Sequence, residues 1–559
     1  MPLAAPPLPP APPSGAPWWR DAVIYQVYPR SFADSDGDGV GDLPGATARL
    51  AGLRELGVDA VWFSPFYVSP QNDAGYDVAD YRDVDPLFGT LADVDALLAE
   101  ARRLGLRVIV DLVPNHTSSE HPWFRAALAA PPGSRERARY LFRPGTGPDG
   151  AQPPNDWRSV FGGPAWSRVP DPDGRPGEWY LHLFDVTQPD LDWTHEEVRA
   201  EFEAVLRFWL DRGVDGFRVD VAHGLVKAEG LPDWDCAQEL LQGANDAGER
   251  PPFWDQEGVH EVYRAWRTVL DSYDGDRMAV AEAWVTPPER LLRYVRPDEL
   301  QQAFNFDFLL APWEAPALRE VVTASLEQAA TVGAPTTWVL SNHDVVRHAT
   351  RLGYPPRTRL PNGIGPDDPQ PDAALGLRRA RAATLVMLAL PGSAYLYQGE
   401  ELGLPEHTTL DDGFRQDPVW IRTGHASRGR DGCRVPLPWS AEGPSLGFGP
   451  SDRTWLPQPD AFRALALDVQ RGVPGSTYEM YREALRQRRA LGLGAGTLAW
   501  VDGLPEGVLA FRNGAAVVLA NLSPAPVALP PGLRVLLTSG DLDDDGRLPV
   551  DVAAWTLEE

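Results

Sequence analysis

Three short segments of the chain run from apolar residues into a carboxylate. They are GFRVD at 216–220, AEAW at 281–284 and SNHD at 341–344, which place Asp220, Glu282 and Asp344. Asp220 and Glu282 are 62 residues apart, and so are Glu282 and Asp344. That interval is the length of about two strand–helix units, so acids delivered in this way converge at one end of a parallel barrel.

The rest of the chain fits that frame. Residues 22–32 (AVIYQVYPRSF) and 58–66 (VDAVWFSPF) are rich in Val, Ile and aromatics and predict strands, and 46–56 and 91–104 have helical spacing. The run RVIVDLV at 107–113 is almost continuously apolar, as a strand covered on both faces should be. The alternation breaks at 114–193, which is rich in Pro, Gly, Asp and Trp. It is too long for a plain loop and predicts a small domain inserted after the third strand. Helix and strand then alternate again from 196 onward, with strands expected at 216–221, 278–284, 303–308, 336–341 and 394–398. The total of about eight strand–helix units predicts an α/β fold, a (β/α)8 barrel. Another irregular stretch, 399–475, follows the eighth strand. VLAFRN, AVVLANL and RVLLTS then predict a C-terminal antiparallel β-domain. The expected organisation is a Pro-rich lead-in at 1–17, the barrel at 18–113 and 194–492, the inserted domain at 114–193 and the β-domain at 493–559.

Bulk properties narrow the function. The net charge of −28 argues against a nucleic-acid partner and against docking on anionic lipid, and leaves room for a neutral substrate and a bound cation. The first seventeen residues lack Lys and Arg, prolines break every apolar stretch there, and no later segment has 18 unbroken apolar residues; neither signal peptide nor membrane anchor is expected. Two cysteines, Cys236 and Cys433, suit a reducing cytoplasm better than a disulfide framework. Most of the 20 Trp and 15 Tyr are expected in cores and domain interfaces.

The acids differ in their neighbours. Arg218 lies two residues before Asp220 and so on the same side of the strand, where its charge lowers the acid's pKa and keeps it ionised, as a nucleophile must be. Taken alone, the motif is also compatible with a structural Arg–Asp pair. Glu282 has apolar neighbours, which raise a carboxyl's pKa and suit a general acid; alone, it could equally cap a helix or form a salt bridge. Asp344 follows His343, a pair suited to sugar hydroxyls or to a local turn. DLVPNH at 111–116 adds Asp111, Asn115 and His116 at the same rim, Asp111 and Asn115 in structural or orienting roles and His116 as a hydrogen-bond donor. Together, the three strand-end acids form the set that glycoside hydrolysis uses.

These segments resemble the α-amylase superfamily, glycoside hydrolase family 13, and within it the α-glucosidase and oligo-1,6-glucosidase branch. The resemblance runs from about Ala22 to the C-terminus through AVIYQVYPRSF, DLVPNH, QPDLDW (188–193), GFRVD, AEAW, FNFDF (304–308), SNHD, YQGEE (397–401) and GRDGCRVPLPW (429–439). It implies Asp220 as nucleophile, Glu282 as acid/base and Asp344 as transition-state stabiliser. It further implies that Arg218, His116 and His343 contact the non-reducing glucose, and that Asp73 and Tyr76 seat it, Asp73 on the distal hydroxyls and Tyr76 on its face. Phe161 and Phe184 resemble aromatic walls. Arg430 resembles the arginine that closes the pocket with Asp73, an assignment for which Arg434 is the neighbour to compare. The implied activity is a retaining, exo-acting α-glucosidase on disaccharides or short oligosaccharides, as a monomer or homodimer. Val221, after the nucleophile, accompanies α-1,6 activity in the resembling enzymes, although AHGLVKA beyond it differs from theirs, and the linkage stays open. Glucosyl transfer or isomerisation, of the sucrose-isomerase or trehalose-forming type, is the alternative with the same triad. FNFDF lacks the arginine-rich character of the isomerase loop, and hydrolysis is favoured. A non-catalytic heavy-chain-like relative is expected to lack part of the acid set.

DSDGDGVGD at 34–42 spaces Asp34, Asp36, Asp38 and Asp42 between glycines. With the Val40 carbonyl, such a loop can wrap a hard cation, although it lacks the twelfth-position Glu of an EF-hand. The resembling enzymes carry a structural Ca2+ or Mg2+ there. The other reading is an acidic turn without metal.

Overall fold

The computed structural model describes residues 15–234 and 250–559; Cys236 and most of the lead-in lie outside them. Eight parallel strands form the barrel: β1 Val23–Val27, β2 Ala60–Phe63, β3 Arg107–Leu112, β4 Gly216–Val219, β5 Met278–Ala281, β6 Gln302–Ala303, β7 Thr337–Val339 and β8 Ser393–Tyr397. Their order in the sheet is β6-β5-β4-β3-β2-β1-β8-β7. The ring is nearly closed. Across the remaining seam, between β6 and β7, the Asn305 N–H donates to the Thr337 carbonyl at 3.0 Å. The helices that cover the outside are α1 Leu43–Leu56, α2 Leu91–Leu104, α3 Glu196–Arg212, α4 Val259–Asp271, α5 Ala315–Val332, α6 Ala373–Leu388 and α7 Thr477–Ala490. A 3-10 stretch, Pro288–Val295, stands after β5 where a helix is the usual crossover.

The apolar strand runs are explained by two cores. Alternate residues such as Ile24, Trp62, Ile109, Val280, Val339 and Tyr395 fill the barrel interior. Their neighbours Val23, Tyr25, Val61, Val108 and Val110 pack outward under the helices. That alternation places polar side chains as well: Phe217 and Val219 belong to the outer core, so Arg218 between them faces inward.

Strand ends depart from the expected boundaries. The first predicted strand stops at Val27, because Pro29 starts a 3-10 turn. In FNFDF, Asn305 accepts the Phe308 N–H and caps the helix Phe306–Leu310, so the strand expected at 303–308 is reduced to Gln302–Ala303. The capping amide outweighs the aromatic strand signal there.

Within the stretch 114–193, Phe142–Arg143, Trp166–Pro170 and Pro176–Leu181 form a three-stranded antiparallel sheet. The C-terminal part is a five-stranded antiparallel sheet of β9 Leu498–Trp500, β10 Val508–Asn513, β11 Ala516–Asn521, β12 Leu533–Thr538 and β13 Val552–Glu558. β13 is tied to the barrel by the Trp555 indole N–H, which donates to the Leu385 carbonyl on α6 at 2.9 Å.

Candidate active site

Asp220 and Glu282 stand immediately beyond β4 and β5, and backbone bonds fix both. The Asp220 N–H donates to Leu112 at 2.8 Å and the Glu282 N–H to Val219 at 2.9 Å. Asp344 lies in the loop after β7, its N–H capped by the Asn342 side chain at 2.8 Å. All three acids line one pocket, with Asp73, Tyr76, His116, Phe161, Phe184, His343 and Arg430 around them.

Arg218 organises the reactive pair. Its Nη1 donates to Asp220 and, at 2.9 Å, to Asp111, while Nη2 lies 3.2 Å from Glu282 Oε2. The spacing of two predicts that Arg218 lowers the pKa of Asp220 and keeps it ionised. The contact is present, but burial is the larger effect. With the neighbouring charges of Glu282 and Asp111, it pushes Asp220 well above the usual carboxylate range, against Arg218. Asp111 is likewise pushed up by burial, to about 7. Arg218, hydrogen-bonded to Asp220, opposes that effect and favours the ionised carboxylate. Glu282 is oriented by two donors, the Trp284 indole N–H at 2.9 Å and the Val221 N–H at 2.8 Å.

Asp344 has the opposite setting. Burial opposes its ionisation, but the His343 ring N–H that faces it and the charges of Arg430 and Arg434 hold it well below the usual range. Both guanidiniums contact its Oδ1 at 3.0 Å. His343 Nδ1 accepts from the Gln26 amide at 2.7 Å, so Nε2 carries the hydrogen and faces the Tyr76 hydroxyl at 2.6 Å and Asp344 at 3.1 Å. Burial keeps that ring neutral. The Tyr76 ring stacks on His343 at 5.3 Å and its hydroxyl donates to Asp111 at 3.1 Å.

An ion pair forms part of the pocket lining. Arg430 Nη2 donates to Asp73 at 2.8 Å, and Asp417 anchors the same guanidinium through its Nε at 2.6 Å. Arg434 bonds the His343 carbonyl and Asp344 instead, so of the two arginines Arg430 is the one that meets Asp73. Burial raises Asp73 to about 6 despite Arg430. Gln188 donates to the other Asp73 oxygen at 3.1 Å. Phe161 lies under Arg430 at 5.2 Å and packs edge-on against Phe184 at 5.6 Å. Phe184 in turn sits 5.2 Å from His116, whose Nε2 faces the Tyr76 carbonyl at 3.2 Å. Burial lowers His116 to about 4, so it too is neutral.

In the acidic loop, carboxylate oxygens of Asp34, Asp36 and Asp42 lie within 4.8 Å of one another. Asp38 stands outside that group, and its Oδ1 accepts the Val40 N–H at 2.7 Å. A set of three convergent carboxylates, two of them buried, fits a hard divalent cation.

Sequence reasoning missed Asp417 and Trp284. Asp417 sits in an irregular segment with no periodicity to mark it. Trp284 is part of AEAW, and its spacing of two from Glu282 was the available signal.

A (β/α)8 barrel with paired, buried acids at its strand ends is an arrangement suited to glycoside hydrolysis. The chain belongs to the α-amylase family: the family described as alpha amylase, catalytic domain, matches residues 26–493. A probable alpha-glucosidase of Rhizobium meliloti (strain 1021) is 40% identical over 486 residues, 85% of this chain and 83% of that protein. An oligo-1,6-glucosidase of Parageobacillus thermoglucosidasius is 34% identical over 504 residues, 84% of each. The crystal structure of an alpha-glucosyl transfer enzyme, XgtA, superposes with a TM-score of 0.84 at 36% identity, covering 98% of this chain and 100% of that one. The chain is an enzyme of the α-glucosidase and oligo-1,6-glucosidase branch.

Proposed function

We propose that the pocket removes single α-glucose units from the non-reducing ends of disaccharides and short oligosaccharides, with net retention. The observation that carries this reading is the Asp73–Arg430 pair, which closes the pocket behind the catalytic acids. Asp220 attacks the anomeric carbon while Glu282 protonates the glycosidic oxygen, and the leaving sugar departs. The resulting β-glucosyl ester on Asp220 is opened by a water that Glu282 deprotonates, releasing α-glucose. Asp344, ionised throughout, binds ring hydroxyls and offsets the positive charge that develops at the transition state. Val221 lines the pocket and supports α-1,6-linked disaccharides among the substrates.

Initial products test this reading: maltotriose should yield glucose as the α-anomer plus maltose. Internal cleavage or a β-anomer would contradict it. Asp220→Asn should lower kcat by about 10⁴-fold or more with an unchanged melting temperature.

Glucosyl transfer to a sugar acceptor is the second reading, favoured by the likeness to the alpha-glucosyl transfer enzyme. Trisaccharide formation from maltose would reveal it. Asp34, Asp36 and Asp42 would hold a structural Ca2+ or Mg2+ that orders their loop and takes no part in the chemistry. The sparse cysteines support a cytoplasmic location; among the described residues no helix is long and apolar enough to cross a membrane.

A further inference from the structure

The mechanism gives no role to Gln26, which stands behind His343 on the pocket wall. Its neighbours on β1, Tyr25 and Val27, pack into the outer core, so the Gln26 side chain points into the barrel. Gln26 is 1% exposed, as is His343. The amide Nε2 lies 2.7 Å from His343 Nδ1 and donates to Ser64 Oγ at 3.1 Å. Both amide hydrogens are thereby used, while the buried Oε1 has no hydrogen-bond partner. An unmet buried acceptor is costly, and a glutamine that served packing alone has no reason to keep one.

The amide has two orientations. In the other one, Oε1 would face His343 Nδ1 and Ser64, and two amide hydrogens would go unmet instead of one carbonyl. The ring hydrogen would then sit on Nδ1, and Nε2 would turn a lone pair toward Asp344 Oδ2, 3.1 Å away. In the observed orientation an N–H faces Nδ1, which disfavours both the Nδ1–H tautomer and the imidazolium. The remaining state carries the hydrogen on Nε2, between the Tyr76 oxygen at 2.6 Å and Asp344. Tyr28, at 5.6 Å with its plane 24° away, and Trp62, edge-on at 6.2 Å, fix the plane of the ring. Neutrality matters here, since Arg218, Arg430 and Arg434 already act on this ring. A further cation would offset the carboxylate that answers the positive charge of the transition state.

We propose that Gln26 is a positioning residue: by donating to Nδ1 it fixes the His343 hydrogen on Nε2, where that hydrogen orients Asp344 and keeps it a carboxylate. The effect on turnover rests on the α-glucosidase reading above; the tautomer does not.

Two variants separate this role from packing. Gln26→Glu keeps the shape and, at mildly alkaline pH, presents an acceptor to Nδ1. Gln26→Met keeps the length and presents neither donor nor acceptor. Turnover of p-nitrophenyl α-glucoside is measured beside the nitrogen NMR of histidine-labelled enzyme, in which the His343 signals are identified by their loss in His343→Asn. The unsubstituted enzyme should show a pyridine-type Nδ1 and a pyrrole-type Nε2. Gln26→Glu should move the hydrogen to Nδ1 and lower kcat about tenfold or more, with a smaller change in KM, whereas Gln26→Met should lose only about threefold. A packing role reverses that order, because glutamate is the closer match in shape. The reverse or an equal order would overturn the proposal, and so would a hydrogen on Nδ1 in the unsubstituted enzyme. If melting curves show that Gln26→Glu does not fold, an unchanged kcat in Gln26→Met overturns it as well. An unsubstituted enzyme with the Nε2–H ring that turns over no α-glucoside would instead sink the α-glucosidase reading, which is a distinct outcome.

Discussion

The pocket's chemistry turns on which of Asp344, Asp73 and Asp111 hold protons. Asp344 is kept ionised by two arginines, whereas Asp73 and Asp111 are raised by burial to about 6 and about 7. As pH falls through that window, Asp73 gains a proton and loses both its pairing with Arg430 and its capacity to accept from sugar hydroxyls. The profile of kcat/KM should therefore have an acid limb between about pH 6 and 7, and Asp73→Asn should move it. A profile flat well below pH 6 would contradict this. The residues of the triad were legible in the sequence because each ends an apolar run. Arg218 was legible by its spacing of two, which puts it on the same strand face as Asp220. Its dominant surroundings were not: the burial that outweighs its charge at Asp220 is assembled from β3, β5 and the loop after β7, and no local window contains them.

Among the elements, α1 links the acidic loop to the barrel. Asp42 accepts the Gly45 N–H at 2.6 Å as the helix N-cap, and its other oxygen accepts from Ser35. The same residue belongs to the candidate cation group. The two roles separate by substitution. Asp42→Asn keeps an acceptor for the cap and loses the charge; Asp42→Ala loses both, the cap alone being worth about 1 kcal/mol. Chelation should lower the melting temperature of the unsubstituted enzyme more than that of either variant, and Asp42→Ala should melt below Asp42→Asn. If chelation leaves all three unchanged, the loop holds no ion. The helices themselves were readable from period and caps: α1, α2, α3 and α5 each end on a left-handed glycine, at Gly57, Gly105, Gly213 and Gly333. Elements that resisted reading are short. β6 has two residues, too few for any alternation, and the aromatic FNFDF after it is helical because Asn305 caps it.

At the scale of the molecule, buried acids beyond the pocket set the pH dependence of stability. Burial raises Glu400 to about 8, and Glu401 and Glu406 to about 7, all from an ordinary value of 4.5. The folded chain keeps these protons while the unfolded chain releases them. Their contribution is fully present below about pH 4.5 and is lost as pH rises through the folded values. Asp344 acts in the other direction, its contribution being lost on acidification. Buried histidines lowered to about 4 or below, such as His116 and His348, act in the opposite sense up to their ordinary value of 6.5. The melting temperature should therefore fall with rising pH between about pH 7 and 8, and Glu400→Gln should flatten that slope. An unchanged slope in the variant would refute the assignment. Architecture at this scale was the most legible of all, since strand–helix alternation, the long interruption after β3 and the closing run of short strands each have a different rhythm. The Asp73–Arg430 pair has a consequence for the order of events. In the proposed exo mode, with Asp73 and Arg430 paired behind the catalytic acids, the glucosyl group would enter first and leave last, and the leaving sugar would clear the mouth before water reaches the ester. Free glucose should then compete with the next substrate for the same seat, and turnover should slow as glucose accumulates.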